Sequence, residues 1–80
     1  MPSAKTEEEW GQRATAFLKA ELKKGEVTYA ELAKRLKKHG FKDESESTIT
    51  MKLKRAAFSA SFLLACLAAL ELEGVRLEDI

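Results

Sequence analysis

Twice in this chain a hydroxyl residue stands just inside a pair of apolar residues five positions apart: Val27 and Leu32 enclose Thr28, and Phe58 and Leu63 enclose Ser59. That arrangement marks a helix start, because the hydroxyl accepts from backbone N–H groups that have no partner in the first turn while the two apolar side chains close over it as a staple. At Thr28 the signal is doubled by Glu31 three residues on. The segment "VTYAEL" therefore opens one helix and "FSASFL" another. Thr6 and Glu9 have the same capping-box spacing, ahead of Trp10, Ala14, Phe17, Leu18 and Leu22, which share one face of a helix from about 7 to 24 that stops near Gly25. Asp43 or Ser45 can start a further short helix carrying "STITMKLKR".

These starts leave little for strands to use. The one proline, Pro2, lies outside every element, and the four glycines mostly stand where helices would end, Gly40 being a natural stop for the second helix. The reading is all-α, a compact bundle of four to five helices forming a single domain over residues 1–80, with residues 1–6 as a flexible N-terminus. Leu32, Ala33, Leu36 and Tyr29 share one side of the second helix, and Lys34 and Lys38 point away from it. The fourth helix covers about 60 to 72, and Val75, Leu77 and Ile80 are expected to return to the core in a last turn. A chain of 80 residues buries only about 60 to 65 per cent of its unfolded surface, so partners can contribute to its stability.

Several classes of function lose support on composition. One cysteine excludes an internal disulfide, and Cys66 inside "FLLACLAAL" reads as a small buried hydrophobe. The longest apolar run, residues 62–70, is far short of the ~20 residues of a membrane span, and no basic-then-apolar leader is seen, so the expectation is a cytoplasmic protein without a membrane partner. His39 and Cys66 are the only soft ligands and suggest neither a metal site nor a nucleophile pair. No glycine-rich phosphate loop is present, and Glu7, Glu8 and Glu9 suit the positive end of a helix dipole. No catalysis, cofactor, metal or small-molecule substrate is expected.

Charge points elsewhere. The net charge is +1, yet residues 28–55 hold eight Lys and Arg against four Asp and Glu, while residues 1–27 sum to zero and residues 56–80 to −3. Clustered cations are what a phosphate backbone requires, because neutralised phosphates release counterions. On a helical wheel Ile49 and Leu53 point inward, and Ser47, Thr48, Met51, Lys54 and Arg55 occupy the opposite arc. Hydroxyls suit phosphates or base edges, the cations suit phosphate or guanine, and a methionine can touch a thymine methyl.

With these residues in view, the order of elements resembles the helix-turn-helix domains of phage repressors and Cro. The matching text is "VTYAELAKRL" at the place of their second helix, "STI" at the opening of their recognition helix, and "FSASFLLACLAALELEGVRLED" as their apolar fourth helix and closing segment. The resemblance implies a repressor-like helix-turn-helix fold and a small transcriptional regulator that holds duplex DNA through Thr28, Tyr29, Lys34, Lys38, Ser47, Thr48, Met51, Lys54 and Arg55. Leu36 and Ile49 are thirteen residues apart, roughly six more than a compact helix-turn-helix allows, so either the second helix or the turn is longer. The chain also resembles a bacterial family catalogued as a domain of unknown function, through "LKAEL", "TYAELA", a "K-[IL]-x-R" run and "FSAxFLL", at residues 18–22, 28–33, 52–55 and 58–64.

The fourth helix is apolar nearly all round, so it is either central to the core or half of an interface. A homodimer is expected, with Leu64, Ala68 and Leu72 at its contact. The alternative to DNA binding is a non-catalytic interaction or dimerisation module built on the same fold.

Overall fold

The computed structural model describes residues 4–80. Among them the chain forms α1 (Glu7–Lys24), α2 (Tyr29–Lys37), α3 (Glu46–Arg55), α4 (Ala60–Ala69) and a closing 3₁₀ turn, Leu77–Asp79, with no strand. The expected flexible N-terminus lies outside the described residues for 1–3, and Thr6 is already fixed as the cap of α1.

All four helices begin in the same way. Thr6, Thr28, Ser45 and Ser59 each accept, at 3.1–3.2 Å, the N–H of the residue three positions on: Glu9, Glu31, Thr48 and Phe62. Each cap of this kind contributes about 1 kcal/mol. The reciprocal bond of a capping box forms at one of the four, where the Ser45 N–H donates to Thr48 Oγ1 at 2.8 Å. Glu9 accepts instead from the Lys5 N–H, and Glu31 from Arg35 Nε. Ser45, and not Asp43, starts α3.

The helix ends also share one device. Val27, Phe41, Ala57 and Leu72 donate their N–H groups back to the carbonyls of Leu22, Leu36, Lys52 and Leu67, and the residue before each donates to the carbonyl three positions back. This is the Schellman pattern, which needs a left-handed residue just before the closing donor. Gly40 supplies it after α2 at φ 91°, but Glu26, Ala56 and Glu71 occupy the equivalent sites at φ 57°, 53° and 61°. Gly25, where the sequence places the stop of α1, is right-handed at φ −86°. The turn beyond it places Val27 in the core with Leu22, so the same few residues end α1 and staple the start of α2.

The core is assembled from one stripe of each helix: Leu18 and Leu22 of α1, Leu32, Ala33 and Leu36 of α2, Ile49 and Leu53 of α3, and Phe62, Cys66 and Ala69 of α4. The α2 helix packs on both α3 and α4. Phe62 stands at the centre, with Phe41 edge-on at 6.2 Å and Phe58 tilted at 5.5 Å. Arg35 ties α2 to the end of α4 by donating to the Ala69 carbonyl at 3.3 Å while its Nε holds Glu31.

Two sequence expectations change. Trp10 is not on the inner face of α1 and is 42% exposed. The inner line runs through Thr15, Leu18 and Leu22, and one turn and more before Thr15 it is Gly11 that falls on this line. A Cβ at Gly11 would lie 2.2 Å from the Ala56 carbonyl oxygen, so the missing side chain is what lets α1 close on the end of α3, and Trp10 is turned to the rim. In the tail, Val75 and Ile80 are half-buried, but Leu77 is 67% exposed. The tail is held through its backbone, Arg13 donating to the Ile80 carbonyl at 2.8 Å.

Two stability outcomes follow from this backbone. Alanine for glycine within a helix normally adds about 0.4–1 kcal/mol. At Gly11 the clash with a carbonyl should reverse the sign and cost about 1–3 kcal/mol in a denaturant melt. Glu26→Gly should stabilise by about 1 kcal/mol through relief of the left-handed strain, and a stability loss in that variant would contradict the turn described here.

Candidate nucleic-acid interface

The turn between α2 and α3 spans eight residues, 38–45, which accounts for the long separation of Leu36 and Ile49. The second helix is itself short, nine residues. What fixes α3 after so long a turn is Glu44. Its carboxylate accepts from Lys52 Nζ, one face of α3 away, and from Thr48 Oγ1 at 2.7 Å. Lys52 in turn lies over the Phe62 ring, 4.5 Å from its centre, so one ion pair joins the turn, α3 and the core of α4.

Burial pushes the Glu44 carboxyl pKa up, but the hydrogen bonds from Lys52 and Thr48 and the Lys52 charge outweigh it and leave the group below its ordinary 4.5. Cys66 lies deeper: burial first, and Glu44 second, raise its thiol to about 12. It is a packed hydrophobe at neutral pH.

With Ile49 and Leu53 buried, α3 turns Ser47, Thr50, Met51, Lys54 and Arg55 to the outside, Met51 being 45% exposed. Ser47, Met51 and Lys54 form a continuous stripe opposite the core, with Thr50 and Arg55 on its flanks. The other site residues named from sequence divide. Lys34 is exposed on α2, and Lys38 is exposed at its C-cap. The hydroxyls of Thr28 and Thr48 are used within the protein, the first as a cap and the second between Glu44 and the Ser45 N–H. Tyr29 is half-buried against the core. Lys38 and His39 edge a shallow depression with Ala68 and Ala69 at the end of α4. Lys54 and Arg55 instead form one wall of a groove shared with the first turns of α1.

The expected dimer residues also separate. Leu64 is 65% exposed and Ala68 is exposed, while Leu72 is half-buried in a depression between α1 and the tail with Phe17 and Val75.

Ion pairing leaves the positive field intact. Among the described residues, pairs within 28–55 take up Arg35 with Glu31 and Lys52 with Glu44. Lys34, Lys37, Lys38, Lys42, Lys54 and Arg55 remain exposed and free of ion pairs, against only Asp43 and Glu46. The Glu44 pair and Thr50, whose hydroxyl donates to the Glu46 carbonyl at 2.7 Å, were not foreseen from sequence. The spacing of Glu44 and Thr48 carried part of that signal.

Among the described residues no group of three or more His, Cys, Asp and Glu could hold a metal ion, and no helix is long and apolar enough to cross a membrane.

Because the folded pKa of Glu44 lies below 4.5, its pair stabilises the fold at neutral pH, and that contribution is lost as pH falls through 4.5 and then through the folded value. Glu44→Gln should therefore lower stability at neutral pH and flatten the acid limb of the stability curve, as urea melts at a series of pH values would show. An acid limb identical to that of the wild type would contradict the role given to Glu44.

Residues 10–75, from α1 through all of α4 and into the tail, match the profile of a family described as a domain of unknown function, DUF6471. Neither curated proteins nor solved structures give a match. The matched span covers all four core stripes and the α3 stripe, and the chain belongs to the DUF6471 family.

Proposed function

We propose that this domain binds duplex DNA, α3 lying along a groove with Ser47 and Met51 toward the bases, and Lys54 with the lysines of α2 and the long turn on the phosphates. The observation that carries the reading is the set of six cations in residues 28–55 that internal ion pairs leave exposed. Such a set provides counterion release, the main source of non-specific affinity for duplexes. The α3 stripe offers a hydroxyl, a thioether and an ammonium, which suit a base edge, a thymine methyl and a phosphate respectively. Arg55, at the end of the stripe, has the reach to fork onto guanine. The domain would act as a small transcriptional regulator of repressor-like helix-turn-helix type, with a turn longer than the usual ~3–4 residues of that motif.

A protein-interaction module is the second reading. It is favoured by Trp10, 42% exposed on the rim of a groove, since exposed tryptophans concentrate binding energy at protein contacts.

A shift assay with random-sequence duplex at two salt concentrations separates them. Affinity should fall steeply with salt, each phosphate contact contributing about 0.9 to the slope of log affinity against log salt. Lys34→Ala or Lys54→Ala should weaken binding to all sequences alike and make the slope shallower by about one contact. Absence of duplex binding at about 50 mM salt, where clustered cations act most strongly, would exclude the DNA reading.

A further inference from the structure

The groove between the first turns of α1 and the junction of α3 with α4 has a feature that neither the fold nor the DNA reading explains: its two walls carry opposite charge. Glu7 and Glu8 line one wall, and Lys54 and Arg55 line the other. The floor between them is apolar, with Trp10 at the rim and Ala57, Phe58 and Leu63 below. The two walls come together where Gly11 meets the Ala56 carbonyl, so the groove is shaped by the packing of α1 on the end of α3.

Among the described residues no ion pair joins one wall to the other. Among the described residues Glu8 accepts a long hydrogen bond from Gln12, at 3.4 Å. A partner that is purely acidic, such as a nucleic acid, would be repelled by Glu7 and Glu8, and a purely basic one by Lys54 and Arg55. An occupant that satisfies both walls must carry both signs in the opposite order across an apolar strip. A second copy of the same groove, turned by a two-fold axis that runs along the groove, does this, because each acidic wall then faces the other copy's basic wall.

We infer that this groove is the contact between two copies of the chain in an isologous dimer, with Trp10 against the partner's apolar floor and Glu8 facing the partner's Arg55. The tryptophan supplies most of the affinity, and the charges set register and exclude other pairings. The contact differs from the α4 surface that the sequence suggests, where Leu64 and Ala68 are exposed but offer no charge to select a partner. It takes Arg55 for a protein contact and borders Lys54 of the α3 stripe, and its test uses no nucleic acid, so it is decided separately from the DNA reading.

The test is a charge exchange on the whole chain, followed by sedimentation equilibrium. The wild type should sediment at twice its 8.9 kDa chain mass. Glu8→Lys and Arg55→Glu should each weaken self-association by roughly tenfold or more, because each homodimer would then place two like-charged pairs in contact. An equimolar mixture of the two variants should recover the dimer, since both contacts in the mixed pair are again opposite in sign. Far-UV circular dichroism identical to the wild type establishes that each variant is folded. Trp10 is the one tryptophan of the sequence, and its emission should shift to the blue with concentration in the wild type and in the mixture, but in neither variant alone. A monomeric wild type, a mixture that stays monomeric, or a dimer broken by Leu64→Glu but not by Glu8→Lys would overturn the assignment.

Discussion

Glu44 does the work that a short turn does in a tight pair of helices. With eight residues between α2 and α3, chain length alone leaves α3 free to take many orientations. The carboxylate removes that freedom by holding Thr48 in the first turn of α3 and Lys52 one turn further on, and Lys52 rests on Phe62 in the core. The direction of the outward stripe of α3 depends on this chain of contacts. So does the distribution of charge, because the pair removes Lys52 from the exposed cations and Glu44 from the anions that would oppose them.

The rest of the fold is maintained by helix ends. Three of the four helices have nine or ten residues, too few to be stable alone in water, where about 12–15 are needed. Each is bounded by a hydroxyl cap and a Schellman turn, and the closing residue of those turns often belongs to the core or its rim, as Val27 and Phe41 do. The starts were legible in the sequence because a serine or threonine cap has few other uses beside an apolar staple. The ends were less so. Left-handed sites normally advertise themselves as glycine, and here Glu26, Ala56 and Glu71 accept the strain, while Gly25 sits one residue too early. Trp10 reads as inward for a related reason: a bulky apolar residue outweighs a glycine on a helical wheel, although it is the glycine that marks where two backbones meet.

For the candidate site, sequence gave the charges and the inward and outward sides of α3, both of which depend only on local order. It did not give the commitments of individual hydroxyls. Thr28 and Thr48 have the right chemistry for phosphates, but their oxygens are spent on the caps that make α2 and α3 possible. Nor could one-dimensional order show that Lys38 borders the end of α4 while Lys54 and Arg55 face α1. That division depends on how three helices cross, and it gives Lys54 a place both in the α3 stripe and in the wall that faces α1.

The claim that α3 carries the nucleic-acid contact is tested most directly by recording amide chemical shifts of the isotopically labelled chain as random-sequence duplex is added at low salt. The account requires shifts concentrated at Ser47, Thr50, Met51 and Lys54, with weaker ones at Lys34, Lys37 and Lys42, and none at Leu64 or Ala68 on the exposed side of α4. A spectrum that does not move, or one that moves at α4 and leaves α3 unchanged, would contradict it.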